Sequence, residues 1–144
     1  MFSKACEYGI KSAIYVAEQS IDGRRVSIKD VTKAINSPEA YTSKILQQLK
    51  NNGLINSDRG PGGGFSIDPK TMEKMTLSDI VTAFDGDSIY RGCGLGFKKC
   101  NAAKPCPVHH EFAKIRDQLA KMLSETTIKS LALQLQDGLS FLKT

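Results

Sequence analysis

The sequence has no tryptophan, and its aromatic content is only 7%. A core built from it must rest on Leu, Ile, Val and Ala rather than on large rings. No run comes near the roughly 18 consecutive apolar residues that a membrane-spanning helix requires, so no membrane association is expected. The opening stretch has Glu7, Lys11 and Glu18 spread through it and lacks the clean apolar segment of a secretory signal. A cytoplasmic location is the expectation. In that reducing compartment, clustered thiols point to metal or redox chemistry rather than to structural disulfides. No Ser-His-Asp set and no paired carboxylates stand in a catalytic context, which argues against an enzyme. Internal repeats and low-complexity tracts are also absent.

What is present is enough for one domain, or one domain with a short appended element: 144 residues, 40% of them apolar. Twenty basic and 15 acidic residues leave a net charge of +5. That balance is compatible with nucleic-acid binding and, alone, with many other roles.

The densest chemistry lies between Cys93 and His110. Three of the four cysteines, Cys93, Cys100 and Cys106, stand at C-x6-C-x5-C, and His109 follows the last at x2. From Tyr90 to His110 there is no carboxylate, but Arg91, Lys98, Lys99 and Lys104 are all cationic. Glycine, proline and asparagine fill the gaps, so this stretch reads as loop. Soft ligands and positive charge together suit an anionic cofactor held by thiolates.

Before that loop the chain reads as helices and one hairpin. Residues 2–20 form a helix with Cys6, Ile10, Ala13, Ile14 and Ala17 on one stripe. Cys6 therefore reads as a core residue. Arg25-Val26-Ser27 suits a short strand. Ser27 caps a second helix, Ile28 to Ile35, with Asp30 as its capping-box partner. For the third helix, Ser37 is the expected N-cap and Pro38 the expected first residue. It runs to the stop at Gly53, with Ile45, Leu46 and Leu49 facing inward. A strand over 54–57, a glycine-rich tip and a strand over 65–67 then make a hairpin. A helix from Thr76 or Ser78 to Phe84 follows, closed by Asp85-Gly86-Asp87, which has no calcium-loop context.

Two short helices and a turn, the second helix carrying hydroxyls, amides and Lys, are the pattern of a helix-turn-helix. The hairpin placed directly after it makes the layout a winged helix. The expected fold is thus mainly α, a winged helix-turn-helix with a small two-stranded wing and C-terminal dimerisation helices. Three parts follow: residues 1–84 for DNA binding, 85–107 for the cysteine-rich loop, and 108–144 for the dimerisation helices.

The base-reading candidates are Tyr41, Ser43, Lys44 and Gln47, whose hydroxyl, ammonium and amide groups suit base edges. Ala40 is placed to meet a thymine methyl, and Lys50 the phosphate backbone. Arg59 suits a minor groove, where narrow A·T tracts concentrate negative potential. Gly60, Pro61, Gly62 and Gly63 form the tip, their small size letting backbone approach phosphate or groove floor. A plain flexible hairpin tip is the simpler reading of those glycines. A nucleotide-binding loop is not, since the Lys-Ser/Thr and the strand-loop-helix context are missing.

After the loop, a long helix over 108–124 presents Phe112, Ile115, Leu119, Met122 and Leu123. Another, capped by Thr126 or Thr127, carries Ile128, Leu131, Leu135, Leu139 and Leu142. Together they hold more apolar surface than the DNA-binding unit needs. Packing of the two helices on each other is the simpler reading; a homodimer reading a two-fold, palindromic operator on double-stranded DNA is the favoured one.

If Pro107 opens the long helix, Cys106 is its N-cap, and the helix dipole favours the thiolate. His109 then lies one turn on, beside it. His110 reads as a bystander. Zinc suits a Cys3His set, but zinc cysteines usually pair at C-x2-4-C, and no such pair occurs. A metal-free thiol switch is also open.

The opening helix FSKACEYGIKSAIYVA, the segment YTSKILQQLKNNGLINSDRGPGGGF and the cysteine triplet resemble the Rrf-type regulators, the IscR/NsrR/CymR family of winged-helix transcription factors. The RGPGGGF wing after KNNGL is the most specific element. The resemblance implies a transcription regulator controlled by an iron–sulfur cluster, [2Fe-2S] rather than [4Fe-4S], sensing redox state, nitric oxide or iron–sulfur supply. It implies the ligands Cys93, Cys100, Cys106 and His109, with Glu7 as the alternative fourth ligand, supplied by the partner subunit in NsrR-like members. One departure is the gap of six residues between Cys93 and Cys100, where the family more often has five. CymR-like members lack the triplet and suggest a second reading, a regulator that senses through a partner or thiol oxidation. A small iron–sulfur electron carrier is a third, although it needs neither wing nor polar reading helix.

Overall fold

The computed structural model describes residues 1–144. Eight helices and two strands follow one another: α1 (Lys4–Ile21), α2 (Ile28–Ile35), α3 (Glu39–Asn51), β1 (Asn56–Asp58), β2 (Gly64–Ser66), α4 (Pro69–Lys74), α5 (Leu77–Asp85), α6 (Ser88–Arg91), α7 (His109–Glu125) and α8 (Ile128–Gln136). The chain is mainly helical with a two-stranded antiparallel wing, as its patterning predicts.

The central element is α1. It packs against α2, α3, α5 and α8, which is why Cys6, Ala13, Val16 and Ala17 on one of its faces are all fully buried. Small side chains on that face let neighbours come close. At Gly9 an added Cβ would meet the Phe84 ring at 2.4 Å, so α5 sits directly on the α1 backbone. The recognition pair is anchored by Val31 and Ile35 from α2 and by Ile45, Leu46 and Leu49 from α3.

Helix starts follow local chemistry in most places. Ser27 Oγ accepts the Asp30 N–H while the Asp30 carboxylate accepts the Ser27 N–H, the reciprocal capping box. Thr76 and Asp79 repeat it at α5. Thr127 caps α8 through the Ser130 N–H at 3.2 Å.

Three expectations need correction. At α3 the N-cap position is Pro38, not Ser37. Ser37 is buried and spends its hydroxyl on Thr42, which also donates to Pro38 O. At α7 the N-cap position is Val108 and the helix opens at His109, so Cys106 is not a cap. Val108 stands outside helical geometry at φ −111, ψ 11, and a turn closed by His109 N–H on Cys106 O precedes the helix. At the C-terminus α8 ends at Gln136, where Gly138 at φ 73 turns the chain; Leu139 is exposed and only Leu142 returns to the core.

Two elements were not foreseen. Asp68 starts α4, with Pro69 in its first turn. Asp87 starts the short α6 and pairs with Arg91 at 3.0 Å.

One core spans the chain. Leu123 of α7 and Ile128 and Ala132 of α8 are fully buried with residues of α1, α3 and α5. Backbone bonds pin this end in place, from Leu77 N–H to Thr126 O at 3.0 Å and from Ile128 N–H to Met75 O at 2.8 Å.

Candidate DNA interface and cysteine loop

Helix α3 divides cleanly. Thr42, Ile45, Leu46 and Leu49 are buried, while Ala40, Ser43, Lys44, Gln47 and Lys50 are exposed. Residues 40, 43, 44 and 47 recur at three- and four-residue steps and so share one face. Tyr41 is half-buried, its ring edge-on to Tyr8 of α1 at 5.3 Å and 78°. Gln47 donates to Asn51 Oδ1 at 2.9 Å. Asn51 is thus a further exposed amide on this helix that the sequence reading did not single out. Gln48 turns the other way and donates to Ala83 O at 2.9 Å, tying α3 to α5.

The wing pairs Asn56 with Ser66, Ser57 with Phe65 and Asp58 with Gly64. Val26 adds a bridge on the other edge of β2: its N–H donates to Phe65 O at 3.0 Å and its carbonyl accepts the Phe65 N–H at 2.7 Å. The suggested strand at 25–27 is therefore real as a single bridge, and it fastens the wing to the α1–α2 turn. Arg25 reinforces it, donating to Gly62 O at 3.1 Å and pairing with Asp58 at 3.3 Å. Lys50 shares a hollow at the wing's base with Arg25, Asn56, Ser57 and Asp58. Arg59, Gly60, Pro61 and Gly62 are exposed at the tip.

The wing glycines have an internal reason to be glycine. A Cβ on Gly63 would stand 2.4 Å from Asp58 O, and one on Gly64 would stand 2.8 Å from Val26 O. Close packing of the hairpin on itself and on Val26 excludes side chains there.

The cysteine loop leaves α6 and crosses α7. Arg116 of α7 donates to Gly92 O at 2.7 Å and to Arg91 O at 3.3 Å, anchoring the loop's start. Gly94 lies against the Phe112 ring, where a Cβ would meet ring carbons at 2.6 Å. Nothing in the local pattern marked Arg116, since its partners are carbonyls 24 and 25 residues away.

Within the loop the donors stand in two pairs. Cys100 Sγ and His109 Nδ1 lie 3.2 Å apart, in hydrogen-bonding reach, and His109 is buried. Cys93 and Cys106 form the other pair. The Leu95 and Phe97 N–H groups, then Cys106, favour the Cys93 thiolate and hold its pKa below the usual thiol value. His109 thus partners Cys100, where the spacing had placed it beside Cys106. All three loop cysteines are half-buried. Glu7 lies in the first turn of α1, paired with Lys4 at 3.2 Å. No three of these groups converge at metal-ligand distance.

Three thiols and an imidazole, flanked by cations and free of competing carboxylate, match the donor chemistry of an iron–sulfur cluster. Cys6 is set apart from them. It is fully buried, and burial, with Asp85 beside it, pushes its thiol up to about 12.

A helix-turn-helix with its polar face free, a wing locked to it, and a thiol-rich loop define a winged-helix DNA-binding regulator. The chain belongs to the Rrf2 family, described as iron-dependent transcriptional regulators, which it matches over residues 2–134. It is 32% identical over 133 residues to a candidate HTH-type transcriptional regulator of Aquifex aeolicus (strain VF5), covering 91% of this chain and 90% of that one. It is 26% identical over 124 residues to the HTH-type transcriptional regulator IscR of Yersinia pseudotuberculosis serotype O:1b (strain IP 31758), covering 86% and 74%. In fold it is similar to CymR (YrzC), the global cysteine regulator of B. subtilis, with a TM-score of 0.73 and 24% identity over 92% of this chain and 96% of that one. Members of this family regulate transcription and are not enzymes. No helix is long and apolar enough to cross a membrane.

Proposed function

We propose that this protein is a homodimeric transcription regulator whose grip on a palindromic DNA operator is set by an iron–sulfur cluster on Cys93, Cys100, Cys106 and His109. The observation that carries the reading is the Cys100–His109 contact, on a loop that also carries Cys93 and Cys106 and is tied to α7 by Arg116. The likeness to IscR-like members supports [2Fe-2S] over [4Fe-4S]. When bound, such a cluster supplies a reversible change of charge and a covalent restraint on the loop. Glu7 of the partner subunit is the alternative fourth ligand.

In this reading residues 1–84 bind DNA, 85–107 hold the cluster and 108–144 dimerise. Each α3 enters a major groove with Ala40, Tyr41, Ser43, Lys44 and Gln47, while Lys50 meets the backbone. Arg59 enters the minor groove, with Gly60, Pro61, Gly62 and Gly63 beside it. The dimer is supported by Phe112, Ile115 and Met122 on α7, which are 39%, 60% and 45% exposed and lie along one helical stripe. The protein works in the cytoplasm, where its thiols stay reduced between signals.

The Cys93–Cys106 pairing supports a second reading, a metal-free thiol switch of the CymR-like kind. Hydrogen peroxide would take two electrons and two protons from the two thiols, its O–O bond breaking to give two waters as the Cys93–Cys106 disulfide forms.

The test is fluorescence anisotropy on an operator selected from a random duplex pool, with apo, cluster-reconstituted and peroxide-treated protein. Cluster control predicts at least a tenfold difference between apo and reconstituted forms. Equal affinity of those two forms, with a change only on oxidation, would favour the thiol switch. Absence of sequence-selective binding in every form would sink both.

A further inference from the structure

Beside the wing, and outside the reading helix, lies an open hollow of about 540 Å³ lined by Gly23, Arg24, Arg25, Gly62 and Gly63. Its lining contains two guanidinium groups and three glycines, with no apolar side chain and no carboxylate. Four observations bear on what it could hold.

First, the two arginines differ in engagement. Arg25 is braced on the wing by Gly62 O and Asp58. Arg24 is held only by Gln19 Oε1 at 3.5 Å and by Asp22 at 3.8 Å, and its side chain is 64% exposed. Its guanidinium thus keeps most of its donors free for an incoming acceptor.

Second, the glycines leave backbone open. An added Cβ at Gly23 or Gly62 would meet nothing within 4 Å, so a bulky oxyanion can come close to the main chain there.

Third, the hollow is a fixed shape. The Val26–Phe65 bridge and the Arg25–Gly62 bond lock the α1–α2 turn to the wing, so the two sides hold their spacing before any ligand arrives.

Fourth, the hollow is continuous with the minor-groove probe. Gly62 and Gly63 belong to the same tip as Arg59 and Gly60. Sugar-phosphate strands border a minor groove on both sides, so a wing inserted there brings its flank against a phosphate.

We infer that this hollow is a phosphate site, in which Arg24 takes one phosphodiester of the DNA strand bordering the minor groove while Arg25 holds the wing in place. The inference rests on the DNA-binding reading above and adds to it a contact that reports no base identity. Forked guanidinium donors are suited to a phosphate's paired oxygens. Each phosphate neutralised releases condensed counterions, so the contact has its own signature in salt dependence.

The test uses full-length protein, in whichever cluster state binds more tightly, on the selected operator and on a scrambled duplex of equal length. Loss of one phosphate contact should lower the slope of log K against log salt by about 0.9. Arg24→Ala should show that drop, with the same several-fold weakening on both duplexes. Arg24→Lys should keep the slope, and Arg24→Glu should weaken binding further than Arg24→Ala. Arg59→Ala should instead narrow the preference for the operator. Thermal melting of the Arg24 variants should match wild type, because the side chain is exposed. An unchanged slope in Arg24→Ala, or a loss confined to the operator, would overturn the inference while leaving the DNA-binding reading intact. If wild-type protein binds neither duplex, that underlying reading fails as well.

Discussion

The carboxylate of Asp85 closes the N-terminus of α1: Oδ2 accepts the Ser3 N–H at 2.8 Å and Oδ1 accepts the Ser3 hydroxyl, across 82 residues of chain. Ser3 Oγ in turn accepts the Cys6 N–H at 3.1 Å, capping the helix. Asp85 is the last residue of α5, eight positions before Cys93, and Tyr8 on α1 abuts Tyr41 of the reading helix. A packed route therefore runs from the edge of the cysteine loop to α3. Asp85→Ala is expected to cost about 1–2 kcal/mol, the range for a lost cap and its hydrogen bonds. Urea unfolding measures this. In the same variant the affinity difference between apo and cluster-loaded protein should shrink.

Cys6 makes stability fall at high pH. Its folded pKa, pushed up to about 12, lies above the thiol's ordinary 9.0. Between those values the folded chain keeps a proton that the unfolded chain releases, so unfolding gains as pH rises. The contribution is full below pH 9.0 and is lost toward pH 12. Cys6→Ala should flatten the stability profile over that window. Alkylation of native protein, mapped by mass spectrometry, should reach Cys93 well before Cys6.

Gly64 stands at φ 134 with Val26 O where a Cβ would intrude. Gly64→Ala should cost about 1–3 kcal/mol, the scale for forced backbone strain. It should also remove hydrogen-exchange protection at the Val26 and Phe65 amides. At Gly62 the same change meets no neighbour, although its φ of 76 keeps a smaller penalty.

If the loop binds a cluster as proposed, its fourth ligand can be read from absorption spectra of reconstituted protein. His109→Ala should shift the visible bands, whereas Glu7→Ala should leave them unchanged. The reverse result would move the assignment to Glu7, and no change in either would exclude both.

Ile115→Glu combined with Met122→Glu should convert a dimer to a folded monomer in sedimentation analysis, because both side chains face solvent in the single chain. Leu123→Ala on the same helix should behave differently. It empties a fully buried site and should cost about 2–5 kcal/mol without changing the assembly.

Much of this was legible before any coordinates. The Ser27–Asp30 box, the span of α2 and the stops near Gly53 and Gly86 depend on a few adjacent residues, and they stand where the pattern puts them. The alternation on α3 separated its inner from its outer face because helical periodicity is a local property. The candidate site was legible in kind, as three thiols, one imidazole and a basic loop.

The rest depended on contacts between distant residues. Ser37 lost its capping role because Thr42 competes for its hydroxyl inside the core. Cys106 lost its place at a helix start because Val108 leaves helical geometry. Neither competition is visible in a propensity or a spacing.

The sequence by itself determined the winged-helix layout, the polar face of α3 and the donor set of the loop, since each rests on residue type and short-range order. Only the tertiary structure decided that His109 meets Cys100, that Arg116 and Asp85 brace the segment leading into the loop, and that Val26 and Arg25 lock the wing. Those are single hydrogen bonds and contacts across tens of residues, and they exist only once the core has fixed where each helix lies.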